Sequence, residues 1–296
     1  MKVISVVGYK KSGKTTLVNS LVRKLSEFGS VGTVKHVREP RFDPETSDTG
    51  KHFDAGAAMV MGLTDTELVT ISRNPDLEKA LDALCDAGLD FAVVEGFKES
   101  PLPKIVLGDL EGVEKVLMRL PEKPELQEDV TYALIQLILA QPDRFTLDTL
   151  IKKVRADSKI REAGAIGTFT GIVRELAADT KTTCLDFEKY EPAATRALEK
   201  IRHDLKQREG ILEVLLHHKV GRIDPGEDIV YIVIAAAHRT ELFPALSDAI
   251  DLIKEEAPIW KKEFTLEGDF WVHDMERAEK EKAEAMKKAE EAGKKE

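Results

Sequence analysis

Near its start this chain has a loop of glycines and lysines between an apolar run and an amphipathic stretch. This order of segments is compatible with few folds. The loop reads Gly8-Tyr9-Lys10-Lys11-Ser12-Gly13-Lys14-Thr15 and follows the β-branched residues 3–7. Apolar residues recur at helical spacing after it: Leu17, Leu21, Leu25 and Phe28. This order predicts a strand buried on both faces that leads, through the loop, into the N-terminus of a helix.

The loop has the spacing Gly-x-x-x-x-Gly-Lys-Thr, in which backbone N–H groups surround phosphates. In such a loop Lys14 reaches the β- and γ-phosphates, and the hydroxyl of Thr15 ligates Mg²⁺. Glu95 ends the apolar run 91–94, where a P-loop protein holds Mg²⁺ through water. The predicted nucleotide-binding residues are Gly8, Lys11, Ser12, Gly13, Lys14, Thr15 and Thr16, with Thr15 and Glu95 at the metal. The alternatives are a structural glycine turn and a surface carboxylate at the end of a strand.

Predicted strands and helices alternate through the first half of the chain. Strands are predicted at residues 31–34, 68–71, 91–94 and 103–107, helices at 76–87 and 130–138, and a mobile loop at 38–54. Alternation of this kind predicts an α/β, P-loop NTPase-like domain with a doubly wound, mostly parallel sheet. Because Gln141-Pro142-Asp143 breaks the last helix, the first domain is predicted to span residues 1–141.

Four segments of this half together resemble the molybdopterin-guanine dinucleotide biosynthesis adaptor protein B family. They are residues 8–16, Lys35-His36, residues 50–57 and residues 94–98. The resemblance covers roughly residues 1–140. It implies GTP and Mg²⁺ as ligands, a role near nucleotide attachment to the molybdenum cofactor, and the guanylyltransferase of the same pathway as a partner. The role of His36 stays open, because Val37 and Arg38 follow it where the family often has further histidines.

The second half has a different order of predicted elements. Strands are predicted at residues 163–174, 184–190, 211–223 and 229–237, and helices at 147–154 and 193–209. A last helix buries Leu242, Leu246, Ile250 and Ile253, and Pro258 ends it. This order predicts an α+β domain at residues 142–275. Residues 276–296, nearly all Glu, Lys and Ala, predict a solvated helical tail.

Two lysines flank the end of the last predicted helix. Lys254 lies in its final turn, and Lys261 follows the bend near Ile259 and Trp260. A lysine against apolar surface loses hydration, and its pKa falls toward the range useful for proton transfer. The alternative is that both lysines are solvated cations that favour a helix C-terminus.

Three further basic residues follow predicted strands. Arg174 follows one strand, and His238 and Arg239 follow another. An arginine binds phosphate through two parallel hydrogen bonds, so these positions are candidates for binding an anionic substrate. A structural role is the alternative for the His238–Arg239 pair. His217 and His218 are predicted to be neighbours in a strand, with one side chain exposed.

Several segments of this half resemble the large, catalytic subunit of molybdopterin synthase. They are residues 168–174, 190–193, 217–221, 237–239 and 254–263, and Trp271-Val272. The resemblance covers roughly residues 143–275 and implies an α/β hammerhead fold and a homodimer. The implied reaction inserts two sulfurs into cyclic pyranopterin monophosphate, which gives the dithiolene of molybdopterin. The implied sulfur donor is the C-terminal thiocarboxylate of a separate, small ubiquitin-like subunit.

This resemblance also implies roles for single residues. The implied catalytic residues are Lys254 and Lys261. The implied substrate-binding residues are Arg174, His238, Arg239 and Glu263. His273 and Arg277 are the nearby candidates for a further basic contact.

Charge and composition exclude other classes. The formal net charge of −10 argues against a general nucleic-acid binder. No apolar run approaches the ~20 residues of a membrane span, and the first residues lead into a strand rather than a signal peptide. We therefore expect a cytoplasmic protein with no membrane contact, in which Cys85 and Cys184 are buried, reduced thiols.

The leading hypothesis is a GTP-binding adaptor fused to a sulfur-inserting enzyme. One alternative is a nucleotide-gated scaffold whose second half binds a pterin without turnover. Another is a P-loop small-molecule kinase, which would need an acceptor site and lid arginines in the first half. The sequence leaves open the choice between molybdenum and tungsten. It also leaves open weak GTP hydrolysis in the first domain and any coupling of that hydrolysis to sulfur insertion.

Overall fold

The computed structural model describes residues 1–37, 43, 46–74, 76–177 and 180–271. The chain divides into two compact units, of which the first is Met1–Thr149 and the second begins at Leu150. The segment that follows the predicted boundary belongs to the first unit because of its contacts. Arg144 pairs with Glu78 at 2.8 Å and with Asp82 at 2.6 Å.

The first unit alternates strands and helices. Its elements are β1 (Lys2–Gly8), α1 (Lys14–Leu25), β2 (Val31–Lys35), α2 (Asp48–Asp54), β3 (Met59–Leu63), β4 (Leu68–Ser72), α3 (Leu77–Asp86), β5 (Phe91–Glu95), β6 (Lys104–Leu107), β7 (Val116–Leu120) and α4 (Glu128–Leu139), and α5 (Leu147–Ala156) spans the division. Five strands form a parallel sheet in the order β2-β5-β1-β6-β7. The predicted parallel sheet is confirmed, and β1 lies at its centre.

Helices cover both faces of this sheet, as its apolar strands require. On one face Ile4 and Val6 of β1 pack with Leu17 and Leu21 of α1 and with residues of α4. On the other face Val3 packs with residues of α3. Successive residues of a strand point to opposite faces, so a strand buried on both sides is apolar throughout.

Two parts of the first unit differ from the prediction. Within the predicted loop at residues 38–54, the structure has α2, which Ser47 caps by accepting a hydrogen bond from the N–H of Gly50 at 2.8 Å. Residues 38–42, 44 and 45 of that loop lie outside the described residues. The strand predicted at 68–71 is β4, which forms a separate hairpin with β3.

A fully buried lysine anchors the connection between β5 and β6. Lys104 is 0 % exposed and donates hydrogen bonds to the carbonyls of Ser100, Leu102 and Glu114. Burial lowers the pKa of Lys104, and the nearby Lys115 lowers it further. Because its ammonium supplies donors to three carbonyls, Lys104 holds this connection in one conformation.

The second unit is α+β, as predicted. Its elements after α5 are a 3₁₀ helix (Ser158–Glu162), β8 (Ala165–Ile172), β9 (Leu176–Ala177), β10 (Thr180–Lys189), α6 (Ala193–Lys206), β11 (Ile211–His218), β12 (Gly221–Ile223), β13 (Asp228–Ala236), α7 (Arg239–Glu256), β14 (Ile259–Thr265) and β15 (Asp269–Trp271). One antiparallel sheet has the order β11-β13-β8. The other has the order β12-β10-β14-β15, and β9 pairs with β10.

The core of this unit forms where α6 and α7 pack on β13. Ile232 and Ile234 of β13 are fully buried and share one apolar cluster with Leu205 of α6 and Ala249 of α7. Gly167 of β8 allows the close approach of α7, because a Cβ there would lie 2.7 Å from the side chain of Leu246. The apolar residues of α7, which recur at a spacing of 3.6 residues, therefore form its buried face, as predicted.

Two predictions for the second unit are wrong in detail. The single strand predicted at residues 211–223 is two strands, β11 and β12, which belong to different sheets. The chain turns between them at Gly221, whose φ is +85°. The strands β14 and β15 follow Pro258, where only a bend was predicted.

Three further points concern the whole chain. Cys85 and Cys184 are both free and buried, which confirms that prediction. Within the described residues, no helix is both long and apolar enough to cross a bilayer. The predicted tail at 276–296, together with His273 and Arg277, lies outside the described residues.

Candidate functional site

An open cleft of about 1350 Å³ lies at the carboxyl ends of the parallel strands in the first unit. The predicted phosphate-loop residues that line it are Gly8, Lys11, Gly13, Lys14, Thr15 and Thr16. The strands on the two sides of β1 are β5 and β6, so the chain leaves β1 where the strand order reverses. Ligands of open α/β sheets bind at such a point.

The two loop glycines are required by their surroundings. A Cβ on Gly8 would lie 2.6 Å from the hydroxyl of Ser12. Gly13 has φ +95°, and a Cβ on it would lie 3.0 Å from the Cα of Lys123. The side chain of Ser12 is fully buried, and its hydroxyl has no hydrogen-bond partner among the described residues. The loop is therefore tightly packed underneath, and its predicted contact through Ser12 can only involve the backbone.

Polar groups converge above the loop. Lys14 donates hydrogen bonds from Nζ to the carbonyls of Gly8 at 3.0 Å and Tyr9 at 2.6 Å. The Thr15 hydroxyl lies 3.1 and 3.0 Å from the two carboxylate oxygens of Glu95. Lys35 pairs with the same carboxylate at 3.2 Å. A threonine hydroxyl and a carboxylate this close fit one hydrated Mg²⁺ between them.

A metal ion beside Thr15 and Glu95 would need further oxygen ligands from a bound phosphate and from water. Nowhere in the described ranges do three or more His, Cys, Asp and Glu side chains gather to hold a metal ion. Mg²⁺ ordinarily keeps several waters and takes only one or two protein ligands together with substrate phosphates. The donor set of Thr15 and Glu95 therefore fits a magnesium–phosphate complex rather than a bare cation.

The six residues predicted in the second unit do not gather in one place within a single chain. β8 and β13 are antiparallel, with Ile172 opposite Asp228 and Ala165 opposite Ala236. Arg174 follows β8 and thus lies near the start of β13, whereas His238 and Arg239 follow its end. The nine residues of β13 separate these ends by about 25–30 Å.

α7 returns the chain to the end of the sheet where Arg174 lies. It has 18 residues, so it is about 27 Å long and matches β13 in length. Because it packs along β13 and β8, Lys254 in its last turn comes back to the start of β13. Val173 and Ile259 share one apolar cluster, which keeps β14 beside the Arg174 segment. Arg174, Lys254, Lys261 and Glu263 therefore lie on neighbouring elements.

The two lysines have different surroundings. Lys261 is half-buried and lies opposite Phe187 of β10, a residue that is 6 % exposed. Lys254 is exposed, so the expected contact with apolar surface is found only for Lys261 in a single chain. Lys262 points to the other face of β14, where it pairs with Asp269 and lies 5.1 Å from the ring of Phe264. Because successive side chains of a strand point to opposite faces, Lys261, the candidate catalytic residue, and Lys262, a structural one, lie on different faces of β14.

Two histidines lie at the same end of the unit as Arg174. His218 meets the ring of Phe187 edge-on at 5.0 Å, and its Nδ1 lies 2.7 Å from the carbonyl of Lys219. Burial lowers the pKa of His218. Burial, with a smaller contribution from His218, lowers the pKa of His217 to about 4. The predicted exposed histidine is wrong, because both residues are half-buried.

Sequence reasoning missed Thr182, which joins two parts of this region. Thr182 is 2 % exposed, and its hydroxyl donates a hydrogen bond to the carboxylate of Glu263. Its backbone N–H donates to the carbonyl of Glu175 at 2.9 Å, next to Arg174. The predicted strand began only at residue 184, so no sequence signal marked this threonine. Thr182 therefore fixes Glu263 relative to the segment that carries Arg174.

Comparisons with known proteins match both units. The family model for molybdopterin guanine dinucleotide synthesis protein B (MobB) matches residues 3–126. The family model for the MoaE protein matches residues 140–256. These two matches coincide with the two resemblances found in the sequence.

Relatives and solved structures extend the match. The probable molybdopterin synthase of Haloferax volcanii is 37 % identical over 277 residues, covering 93 % of this chain and 100 % of that relative. The molybdopterin synthase catalytic subunit of Pyrococcus abyssi is 33 % identical over 135 residues, covering 46 % of this chain and 88 % of that relative. The crystal structure of molybdopterin synthase from Staphylococcus aureus shares 34 % identity, covers 37 % of this chain and 80 % of that one, and has a TM-score of 0.36.

The parallel sheet and the glycine loop of the first unit define the P-loop class of α/β proteins, here joined to an α+β unit. Since a relative matches along nearly its whole length, the chain belongs to the molybdopterin synthase family, in a form that fuses a MobB domain to a MoaE domain. Its pathway is molybdenum cofactor biosynthesis.

The hydrogen bond from Thr182 to Glu263 leads to a stability prediction. Thr182→Val removes the donor while keeping the shape of the side chain, so the free energy of unfolding should fall by about 1.5–3 kcal/mol. Thr183→Val is the matched control, because the exposed hydroxyl of Thr183 donates a hydrogen bond to the uncharged carbonyl of Phe264 at 3.0 Å. Urea unfolding measures both variants. In combination with Glu263→Gln the effect should be clearly non-additive, and simple additivity would contradict a direct link.

Proposed function

We propose that the second unit is a molybdopterin synthase that inserts sulfur into cyclic pyranopterin monophosphate. The sulfur comes from the C-terminal thiocarboxylate of a small ubiquitin-like partner subunit. The observation that carries this proposal is the group of basic side chains at one end of the second unit, within a chain of this family. Arg174, Lys254 and Lys261 lie there on neighbouring elements, and Glu263 is held beside them.

The chemistry follows from the charges. The substrate carries a phosphate, which the guanidinium of Arg174 can bind through two parallel hydrogen bonds. Lys261, which is half-buried opposite Phe187, would move a proton as the thiocarboxylate sulfur attacks a ring carbon and displaces its oxygen substituent. Hydrolysis of the resulting thioester would leave the sulfur on the ring and release the partner as a carboxylate. Lys254 adds a second cation that stabilises the negative charge of the reacting groups. Glu263, whose carboxylate accepts the hydrogen bond from Thr182, adds a fixed acceptor beside these cations.

The proposed enzyme is a homodimer with shared sites. His238 and Arg239 are exposed at the far end of β13 from Arg174, about 25–30 Å away. All the predicted residues can serve one substrate only if a second copy supplies His238 and Arg239. In a twofold dimer each copy makes the same contact with the other, so both sites receive His238 and Arg239 from the other copy.

For the first unit we propose binding of GTP with Mg²⁺ and a supporting role in forming the guanine dinucleotide cofactor, with the guanylyltransferase of the pathway as partner. The glycine loop, the Thr15–Glu95 pair and the cleft support this proposal. Lys14 would leave the loop carbonyls to bind the β- and γ-phosphates. Bound Mg²⁺ would neutralise phosphate charge, and Thr15 and Glu95 would hold it. The preference for guanine rests on the family resemblance.

Removal of either candidate catalytic lysine tests the sulfur-insertion proposal. Lys254→Ala and Lys261→Ala should each lower dithiolene formation by at least about 100-fold, because the first removes a stabilising cation and the second a proton-transfer group. The assay combines cyclic pyranopterin monophosphate with thiocarboxylated partner and detects the dithiolene product. Lys159→Ala, on the exposed 3₁₀ helix, should match the wild type. Wild-type turnover in Lys254→Ala would remove that lysine from the mechanism.

Mixing two inactive variants tests the shared site. Arg174→Ala and Arg239→Ala should each be inactive as pure proteins. In a mixed dimer, one of the two sites has lost both arginines and the other has kept both. Random reassociation should therefore restore about one quarter of the wild-type activity, since half of the dimers are mixed and each has one intact site. No recovery from a mixture shown to contain mixed dimers would mean that each site belongs to one chain.

Nucleotide binding is tested at Lys14. Lys14→Ala should raise the Kd for GTP in the presence of Mg²⁺ by at least about 30-fold, because the phosphates lose a direct cation. Lys24→Ala, at the far end of α1, is the matched control and should bind as the wild type does. Isothermal titration calorimetry with GTP and then ATP measures affinity and base preference. Equal affinity of the wild type and Lys14→Ala would contradict the proposed phosphate site.

A further inference from the structure

The cleft of the first unit continues past the phosphate loop to a pair of stacked rings. His36 follows β2 and Phe97 follows β5. Their ring centroids are 4.8 Å apart, with an angle of 26° between the planes. Both residues line the cleft, and neither contacts the phosphate loop in the hydrogen bonds or ring contacts of the described residues. His36 is exposed, so a ligand can reach the part of its ring that Phe97 does not cover.

The backbone under this pair is held in an unusual conformation. Gly96 has φ +101°, and Phe97 has φ +57°. A bulky residue in this left-handed region costs about 1–2 kcal/mol, and such strain is concentrated at ligand sites. A Cβ on Gly96 would lie 3.0 Å from the Cβ of His36, so only glycine allows the two turns to meet.

Hydrogen bonds and packing hold the strained turn at Gly96 and Phe97 in place. Ser100 donates hydrogen bonds from its backbone N–H at 3.0 Å and its hydroxyl at 2.8 Å to the carbonyl of Phe97. The carbonyl of Ser100 in turn accepts a hydrogen bond from the buried Lys104. Phe97 also packs against the apolar cluster under α3. The ring of Phe97 is therefore a fixed support for the more exposed ring of His36.

The strand order shows which part of a bound nucleotide lies next to these rings. β5 and β2 lie on one side of β1, and β6 and β7 lie on the other. Glu95, at the end of β5, contacts Thr15, the residue proposed to hold Mg²⁺ at the terminal phosphates. With a nucleotide bound as proposed, the rings that follow β2 and β5 would lie beyond its terminal phosphate. The nucleoside, at the opposite end of the nucleotide, would extend toward β6 and β7, where Lys123 and Leu110 line the cleft.

Two lysines stand beside the rings. Lys35 pairs with Glu95 at 3.2 Å, and Lys98 pairs with Glu99 at 3.0 Å. Both lysine side chains are more than half exposed, at 54 % and 55 %. The Lys98–Glu99 pair is exposed on both sides and contributes little, so the Lys98 ammonium can turn to a phosphate at small cost. The Glu95 side chain is only 12 % exposed, so Lys35 can stay paired with it and offer its remaining N–H donors to a phosphate.

We propose that His36, Phe97, Lys35 and Lys98 form a second ligand position for a phosphorylated, planar heteroaromatic compound of the pterin class. The inference rests on the proposed nucleotide site and deepens it, because the second ligand lies beside the terminal phosphate of the first. The ring stacks on the open face of His36, and its phosphate binds the two lysines. At about 1350 Å³ the cleft exceeds the ~300–1,000 Å³ of a site for one ligand.

Fluorescence titration with neopterin monophosphate tests the second position. The full chain carries Arg174→Ala and Lys261→Ala in every sample, so that the proposed pterin site of the second unit is disabled. Adding His36→Ala should raise the Kd of the probe at least about 10-fold, in keeping with the loss of one aromatic stacking partner. His36→Phe should keep the affinity, and Tyr132→Ala, an aromatic residue 67 % exposed on α4, should leave it unchanged. Neopterin without phosphate should bind more weakly than the probe.

Calorimetry with GTP and Mg²⁺ on the same variants separates this inference from the nucleotide proposal. GTP affinity should change less than about twofold in His36→Ala, because the base lies on the other side of β1. A large loss of GTP affinity with unchanged probe affinity would show that His36 stacks on guanine, and would overturn the second position. Probe affinity that is equal in all variants would also overturn it. The probe is titrated first without nucleotide, so a failure of GTP binding leaves this test intact.

Discussion

The antiparallel register of β13 against β8 decides where the basic residues of the second unit lie. Hydrogen bonds along the two strands place Ile172 opposite Asp228 and Ala165 opposite Ala236. A shift of one residue would turn the fully buried Ile232 and Ile234 away from α6 and α7, so burial fixes this register. With the register fixed, Arg174 and Arg239 stand at opposite ends of one sheet. The proposal that a second copy completes each site rests on this separation.

The first unit depends on a similar constraint at β1. Its side chains are buried on both faces, so the strand cannot move relative to α1, α3 and α4. The phosphate loop that follows β1 therefore begins between the ends of β5 and β6, where the strand order reverses. Glu95 on β5 lies beside Val6 on β1 in the register, which explains why a carboxylate 80 residues away reaches Thr15. The same neighbouring strand ends bring His36 next to Phe97.

Local patterns predicted most elements whose apolar residues recur at one period. The helices α1, α3, α4, α6 and α7 and the strands β1, β2, β5 and β13 are of this kind. The missed elements have weaker signals. α2 has few apolar residues and depends on its Ser47 cap. β14 contains Lys261, Lys262 and Glu263, and it is a strand because it pairs with β10 along seven residue positions. A polar sequence of this kind becomes a strand only when its partner is present.

Residue types at short, fixed spacings were enough to predict the phosphate loop, the two fold classes and the family of each half. Which of those residues meet depends on how distant segments fold together. Thr182 meets Glu263, 81 residues away, because β10 pairs with β14. His218 meets Phe187 because strands of two different sheets pack together. Tertiary structure also decided that Lys261 is half-buried while Lys254 is exposed. Burial and register depend on packing between distant segments, and no local pattern of residues contains that information.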